Sequence, residues 1–261
     1  MQNYATIKFA RSGQIAVITL NRPEAANGLN LPMATELAAA AYECDNDASV
    51  KAVLITAEGK FFCAGGDIKS MTGEHEKPAA AIKRMADELH RAISTFQRMQ
   101  APVVVAVNGI CAGAGFSLAV SGDLVIAAES AKFTMAYTSI GLSPDGSSSY
   151  FLPRIIGLRK TQELMYTNRT LNSSEAQAWG LVTRVCPDAI LMADALQVTN
   201  TIASGNLQAH AAIKDLLANS FTNTLETQME IEGRYIAACA GSVNGQEGIR
   251  SFIEKRKPKF V

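Results

Sequence analysis

The amino-acid sequence predicts an α/β protein whose C-terminal third is mostly helical. Short and nearly continuous apolar runs at 51–56, 102–107 and 123–128 suit strands that are buried on both faces. Helical segments separate these runs, and strands that alternate with helices are typical of a sheet with crossover connections. After residue 145 the strand-like runs give way to segments with helical spacing of apolar residues.

The other elements can be placed in chain order. Alternating apolar and polar residues at 4–10 and 15–20 flank a short turn and predict a β-hairpin. Strong helix formers predict a helix over 31–47, and a second helix around 79–100 precedes the middle buried strand. The C-terminal third predicts three more helices, near 188–204, 207–219 and 223–238.

Composition and charge narrow the class of protein. The chain has 261 residues, 48% of them hydrophobic and 18% charged, which is enough apolar material for one large core. Its formal net charge is zero and it has no basic block, so nucleic acid and anionic membranes are poor candidates for partners. No apolar run approaches the roughly 20 residues that span a bilayer, and the N-terminus lacks the pattern of a signal peptide. We therefore expect a soluble cytoplasmic protein.

Cysteine and histidine residues form no recognisable metal or disulfide pattern. The five cysteines are scattered without a Cys-x-x-Cys pair, which disfavours both a disulfide framework and a structural zinc ion. The three histidines lie far apart and none belongs to an HExxH-type pattern, so we expect no metal site. By default, His75 is solvated in a polar stretch, while His90 and His210 lie on helix surfaces.

Two glycine-rich segments, at 61–68 and 108–119, are the most distinctive parts of the sequence. Each follows a predicted strand, and the second leads into a short helix that is predicted to begin near Ala114. Unpaired N–H groups in such segments could hold a developing oxyanion. Small residues there could equally serve close packing of strands against helices, and each segment alone leaves both interpretations open.

The second glycine-rich segment also has a competing interpretation as a dinucleotide-binding loop, because Gly109, Gly113 and Gly115 form a G-x-x-x-G-x-G spacing. However, the loop lies in the middle of the chain rather than after the first strand. The following helix has room for only about two turns, and no acidic residue ends the next strand. The sequence also lacks the G-x-S-x-G elbow of an α/β-hydrolase. These chemistries are therefore disfavoured.

Asp145 stands between a proline and a glycine, followed by three serines. Pro-Asp-Gly is a common way to reverse a chain, so a turn is the default interpretation. This stretch alone does not decide whether the carboxylate also takes part in chemistry.

Several segments in the same order resemble the enoyl-CoA hydratase/isomerase (crotonase) superfamily. The resemblance runs nearly from end to end and includes a basic C-terminus. It implies a crotonase-like ββα spiral core over 1–200 and a helical trimerisation region over 201–261, often in a hexamer of two trimers. It also implies a coenzyme A thioester as substrate, with no cofactor beyond the coenzyme A of that substrate. The segments that carry it are 20–30, 61–71, 102–133 and 140–157.

The resemblance assigns roles to individual residues. The backbone N–H groups of Gly66 and Ala114 would form an oxyanion hole for the thioester carbonyl. Lys257 would contact the phosphates of coenzyme A. The remaining positions implied for substrate and coenzyme A binding are Ala26, Ala64, Asp67 and Ile68.

The resemblance also bears on the reaction. Hydratases of this superfamily carry two glutamates at positions that Ser117 and Tyr137 occupy here, and neither side chain is a carboxylate. Asp145 stands where the enoyl-CoA isomerases hold a single acid/base. The segments 130–157 and 226–235 most resemble the ring 1,2-epoxyphenylacetyl-CoA isomerase group. We therefore predict double-bond migration in a coenzyme A thioester.

Two alternatives remain open. A 4-chlorobenzoyl-CoA dehalogenase or thioester hydrolase of this superfamily would use Asp145 as nucleophile and His90 as base. The dehalogenases carry a tryptophan where this chain has Tyr137, and both Tyr137 and His90 are kept as accessory candidates. Enoyl-CoA hydration is the further alternative.

Overall fold

In residues 4–71 and 77–261, which the computed structural model describes, ten strands form two sheets and eleven α-helices surround them. His75 lies outside the described residues. The strands are β1 Ile7–Ser12, β2 Ile15–Leu20, β3 Ala52–Ala57, β4 Phe61–Cys63, β5 Val103–Val107, β6 Ile110–Ala112, β7 Leu124–Ala128, β8 Lys132–Thr134, β9 Leu171–Asn172 and β10 Arg184–Cys186. The helices are α1 Leu31–Asn46, α2 Ile68–Met71, α3 Pro78–Arg98, α4 Ala114–Val120, α5 Ser148–Ile156, α6 Leu158–Thr167, α7 Ser173–Ala178, α8 Leu191–Ala203, α9 Leu207–Asn219, α10 Leu225–Gly241 and α11 Val243–Ile253.

The larger sheet has the strand order β1-β2-β3-β5-β7-β10. The first two strands form the predicted antiparallel hairpin, and the pairs from β2 onward are parallel. The three predicted apolar runs are its central strands β3, β5 and β7. Alternate residues of β3 enter different apolar clusters: Val53 and Ile55 pack in the cluster that includes α1 and α3, and Leu54 packs in the one that includes α8. Burial on both faces therefore explains why these runs are continuously apolar.

The smaller sheet has the order β4-β6-β8-β9 and was not predicted from the sequence. Its strands are two or three residues long, too short for a periodic pattern of apolar residues. The chain passes from β3 to β4, from β5 to β6 and from β7 to β8, and each strand pair is followed by a helix. These repeated units form the ββα spiral that the resemblance implies, so the predicted fold class is confirmed.

The C-terminal helices contain the predicted elements and one more. Helices α8, α9 and α10 match the three predicted segments, whereas α11 was not predicted. The first helix beyond residue 200 is fastened to the core through Lys214, whose Nζ donates to Phe96 O at 2.7 Å and forms an ion pair with Asp123 Oδ2 at 3.0 Å. Burial lowers the pKa of this lysine. The division into a core over 1–200 and an oligomerisation region over 201–261 stays a prediction.

Large apolar side chains remain exposed along α9, α10 and α11. In the single chain Leu217 is 66% exposed, Ile236 73% and Phe252 85%. Such a concentration on neighbouring helices is more than the isolated apolar side chains of an ordinary surface. Within the described ranges, no helix combines the length and the hydropathy needed to cross a membrane.

Candidate active site

A cavity of about 520 Å³ lies between the two glycine-rich segments, α3 and the loop that follows β8. Helix α3 contributes an apolar wall that includes Ile82, Met85 and Leu89. The lining includes six residues that the sequence analysis selected, namely Ala64, Gly66, Ile68, Ala114, Tyr137 and Asp145. Ala64 and Asp145, which are 81 positions apart in the chain (145 − 64), thus meet at one cavity.

Two backbone N–H groups of the lining have no acceptor among the residues that the structure describes. Leu29 forms a parallel bridge across Gly66, in which Leu29 N donates to Gly65 O and Asp67 N donates to Leu29 O, both at 2.7 Å. This pattern leaves the Gly66 N–H unused. Ala114 is the first residue of α4, and the first N–H groups of a helix have no intrahelical acceptor. In the described part of the chain, no other backbone or side-chain group accepts a hydrogen bond from either N–H.

Glycines let the two segments approach each other. Gly65 and Gly113 have φ values of +107° and +48°, and a Cβ added to Gly113 would lie 3.4 Å from Gly65 Cα. Gly115 serves packing instead, because its added Cβ would lie only 2.5 Å from Cys63 Cβ. The glycine-rich segments therefore contain glycines that shape the cavity, Gly65 and Gly113, and a glycine that serves close packing, Gly115.

Asp145 lies in a tight turn that leads directly into α5. Gly146 and Ser147 both adopt left-handed conformations, with φ values of +62° and +69°. The N–H of Ser148, the first residue of α5, donates to the Asp145 carbonyl oxygen at 3.4 Å. The predicted turn is confirmed, and it leaves the carboxylate 37% exposed at the cavity wall.

The side chains at positions 117 and 137 contact the backbone of Asp145. Ser117 Oγ donates to the Asp145 carbonyl oxygen at 2.7 Å and lies 3.0 Å from the Tyr137 hydroxyl. The hydroxyl of Ser148 donates to the same carbonyl oxygen at 3.0 Å. Burial raises the pKa of the Tyr137 hydroxyl well above its ordinary value, so this group stays protonated. Neutral hydroxyl groups thus occupy the two positions at which the hydratases would carry glutamates.

His90 reaches the carboxylate of Asp145 from α3. The distance between His90 Nε2 and Asp145 Oδ1 is 2.8 Å, although 55 residues separate the two in the chain. The imidazole is 48% exposed, so the pair lies at the edge of the protein surface rather than in the core. The accessory candidate His90 therefore contacts the acid/base candidate directly.

Comparison with known proteins agrees with this geometry. The profile of the enoyl-CoA hydratase/isomerase family matches residues 10–261. The chain belongs to this family. It is similar to the 1,2-epoxyphenylacetyl-CoA isomerase of Escherichia coli K12, with 34% identity over 95% of each chain. It also resembles the crystal structures of enoyl-CoA hydratases from Polaromonas sp. JS666 and Bacillus anthracis. Their TM-scores are 0.93 and 0.92 and their identities 32% and 30%, over 98% of this chain and 99% of each neighbour.

As a member of the crotonase superfamily, the protein acts on coenzyme A thioesters, and the candidate binding residues can be located accordingly. The carbonyl of Ala26 accepts a hydrogen bond from Ala64 N at 3.1 Å, which joins the loop after β2 to the first glycine-rich segment. Ile68 begins α2 and is 46% exposed at the cavity. Ala64 and Ile68 therefore line the cavity, Ala26 is joined to it through Ala64, and the contacts of all three with coenzyme A stay a prediction.

Asp67 and Lys257 differ from that group. The Asp67 carboxylate forms an ion pair with Arg22 at 2.9 Å, and both side chains are only 17% exposed. The Asp67 carboxylate therefore stabilises the loop after β2 through Arg22. Lys257 is exposed beyond α11 and does not line the cavity. Roles for both in substrate binding stay predictions.

Asn27 and Ser148 shape the site but were not predicted from the sequence. Asn27 is fully buried with a φ value of +51°, and its Nδ2 donates to Glu58 O and Phe61 O, both at 2.8 Å. Asn27 and Gly28 form an Asn-Gly pair in the segment 20–30, and such a pair is typical of a turn, so the sequence could have indicated this position. Ser148 carried no signal beyond its place among three serines. In the described ranges, no group of three His, Cys, Asp or Glu side chains is arranged to hold a metal ion.

Proposed function

We propose that the protein shifts a carbon–carbon double bond in an enoyl-CoA thioester, with Asp145 as the single acid/base. The observation that carries the proposal is that Asp145 is the only carboxylate among the described residues that line the cavity. Asp145 takes a proton from C2 of a 3-enoyl thioester and leaves a dienolate. The same carboxyl group then returns the proton to C4, which places the double bond between C2 and C3.

The two free N–H groups support this chemistry. When the C2 proton leaves, negative charge develops on the thioester oxygen, and preorganised donors lower the energy of that state by several kcal/mol in a water-poor site. Gly66 and Ala114 contribute such donors to the same cavity as Asp145. When N–H donors stabilise the dienolate in this way, the proton shift needs no metal or organic cofactor beyond the coenzyme A of the substrate.

Hydration is less well supported than isomerisation. The two-glutamate route requires one carboxylate to activate water and another to handle the proton at C2. Ser117 is fully buried, and its hydroxyl is engaged with the backbone of Asp145. The Tyr137 hydroxyl stays protonated because burial raises its pKa. Neither group can replace a carboxylate near neutral pH.

A second candidate function rests on the His90–Asp145 contact of 2.8 Å. In a dehalogenase-like reaction, Asp145 would attack an aryl-CoA ring carbon, chloride would leave, and water activated by His90 would hydrolyse the resulting ester. A thioester hydrolase would use the same pair on the acyl carbon. Both reactions take an oxygen atom from water, which isomerisation does not.

Oxygen labelling separates these functions. We expect 3-enoyl-CoA incubated in ¹⁸O-water to give 2-enoyl-CoA without ¹⁸O. Hydration, tested with 2-enoyl-CoA in the same water, would place the label on C3, and hydrolysis would place it in a free carboxylic acid. Incubation with 4-chlorobenzoyl-CoA tests the dehalogenase reaction, which would release chloride and a labelled hydroxyl product over many turnovers. Mass spectrometry of the products therefore assigns the reaction, and labelled 3-hydroxyacyl-CoA from 2-enoyl-CoA with unchanged 3-enoyl-CoA would contradict isomerisation.

We also propose that the chain forms a homotrimer or a dimer of trimers. The exposed apolar side chains of α9, α10 and α11 support self-association, because an apolar surface of this kind is normally covered by a partner. Sedimentation velocity should give three or six times the mass of one chain. A species with the mass of a single chain at micromolar concentration would contradict the proposal.

A further inference from the structure

We propose that Ser117 and Ser148 are positioning residues that hold the main-chain carbonyl of Asp145 and thereby aim its carboxylate at the substrate. The inference rests on the proposed role of Asp145 as acid/base. We call the two hydroxyls and the carbonyl the Asp145 clamp. Neither serine belongs to the cavity lining, so each acts through Asp145 rather than on the substrate.

The clamp hydroxyls are the two nearest donors to the carbonyl oxygen. Ser117 Oγ and Ser148 Oγ lie 2.7 Å and 3.0 Å from it, whereas the Tyr137 hydroxyl and the Ser148 N–H lie farther away, at 3.3 Å and 3.4 Å. Both serine side chains are completely buried, so water does not compete for these bonds. The two donors belong to different helices, α4 and α5, and Asp145 is thus fixed from two sides.

Tyr137 adds a third hydroxyl group beside the clamp. Its oxygen lies 3.0 Å from Ser117 Oγ and 3.3 Å from the Asp145 carbonyl oxygen, to which it donates. The Tyr137 hydroxyl stays protonated because burial raises its pKa. The Tyr137 hydroxyl is therefore a further donor to the same carbonyl oxygen, at a longer distance than the two serine hydroxyls.

The backbone around the clamp explains why it is needed. Ser147 is a non-glycine residue with a φ value of +69°, a conformation that costs energy and persists only when the surroundings hold it. A Cβ added to Gly146 would lie 2.8 Å from Ser117 Cβ, so the turn packs directly on α4 and leaves no room for a side chain at position 146. Ser117 supplies a hydrogen-bond donor at this contact.

Removal of either serine hydroxyl should therefore lower kcat and leave KM nearly unchanged. We expect Ser117→Ala and Ser148→Ala each to reduce kcat for 3-enoyl-CoA by about 10-fold or more, since small misplacements of a catalytic group cost up to roughly 10²-fold. Ser121→Ala is the matched control. Ser121 is buried at the end of α4 and donates to Leu118 O at 2.8 Å, away from Asp145. This variant should keep the parent kcat.

A second comparison separates positioning from general stability. In an Asp145→Asn background, Ser117→Ala should cause no further loss of residual activity, because the group that it positions is already gone. Ser148→Ala provides an independent test on another helix if Ser117→Ala folds poorly. The proposal is overturned if folded Ser148→Ala keeps the parent kcat, or if the serine variants raise KM at unchanged kcat. Full turnover by Asp145→Asn alone would instead refute the proposed function.

Discussion

Replacement of Asp145 with asparagine should lower the rate of 3-enoyl-CoA isomerisation by roughly 10³- to 10⁴-fold, the upper range for the loss of a general acid–base group. Asparagine has nearly the same shape as aspartate, but its amide does not accept and return a proton near neutral pH. The turn and the cavity wall should therefore persist while proton transfer stops. The rate can be followed by the absorbance of the conjugated 2-enoyl thioester.

Binding and a matched variant control this experiment. Calorimetry should show that Asp145→Asn still binds a saturated acyl-CoA with an affinity close to that of the parent protein. Asp87→Asn makes the same chemical change at an exposed carboxylate on α3, which pairs with Lys83 and does not line the cavity. It should keep the parent rate. An Asp145→Asn variant that retains more than a tenth of the parent turnover would show that another group carries the proton.

Proline at position 114 should lower kcat by about 10²- to 10³-fold, the usual loss when one oxyanion-hole donor is removed. Proline has no N–H, and Ala114 is the first residue of α4, a position at which helices accept proline readily. The helix loses no hydrogen bond through this change because the Ala114 N–H has no acceptor within it. The substitution therefore removes the proposed donor without removing a structural bond.

Ala114→Gly is the control for this substitution, since it retains the N–H and changes only a methyl group. Its rate should stay within about tenfold of the parent rate, well above that of the proline variant. Circular dichroism and acyl-CoA binding report whether each variant is folded. A folded Ala114→Pro variant with the parent kcat would show that this N–H does not stabilise the transition state.

Much of the architecture could be predicted from the sequence. The runs at 51–56, 102–107 and 123–128 are apolar throughout because their strands are covered on both faces, and this leaves a direct trace in composition. The smaller sheet left no such trace in the composition of its strands. Its strands β4 and β6 contain three residues each and are stabilised by pairing with each other, a long-range effect that no local pattern encodes.

Some features of the candidate site could likewise be predicted from the sequence, and others could not. Asp145, Gly66 and Ala114 could be selected from motifs, and the structure brings them to one cavity while their catalytic roles stay predictions. The contact between His90 and Asp145 could not be derived, because it depends on how α3 crosses the turn before α5. The Asp145 clamp was also out of reach, since its acceptor is a backbone carbonyl and every residue has one.

For this chain, the sequence alone determined which residue types are available: one carboxylate in a Pro-Asp-Gly turn, hydroxyls at positions 117 and 137, and glycines where two segments must approach. The tertiary structure decided which of them meet. Ser117 and Asp145 are separated by 28 residues, and their hydrogen bond forms because α4 packs directly against the turn at Gly146. Local chemistry is encoded residue by residue, whereas contact across the chain depends on the packing of the whole core.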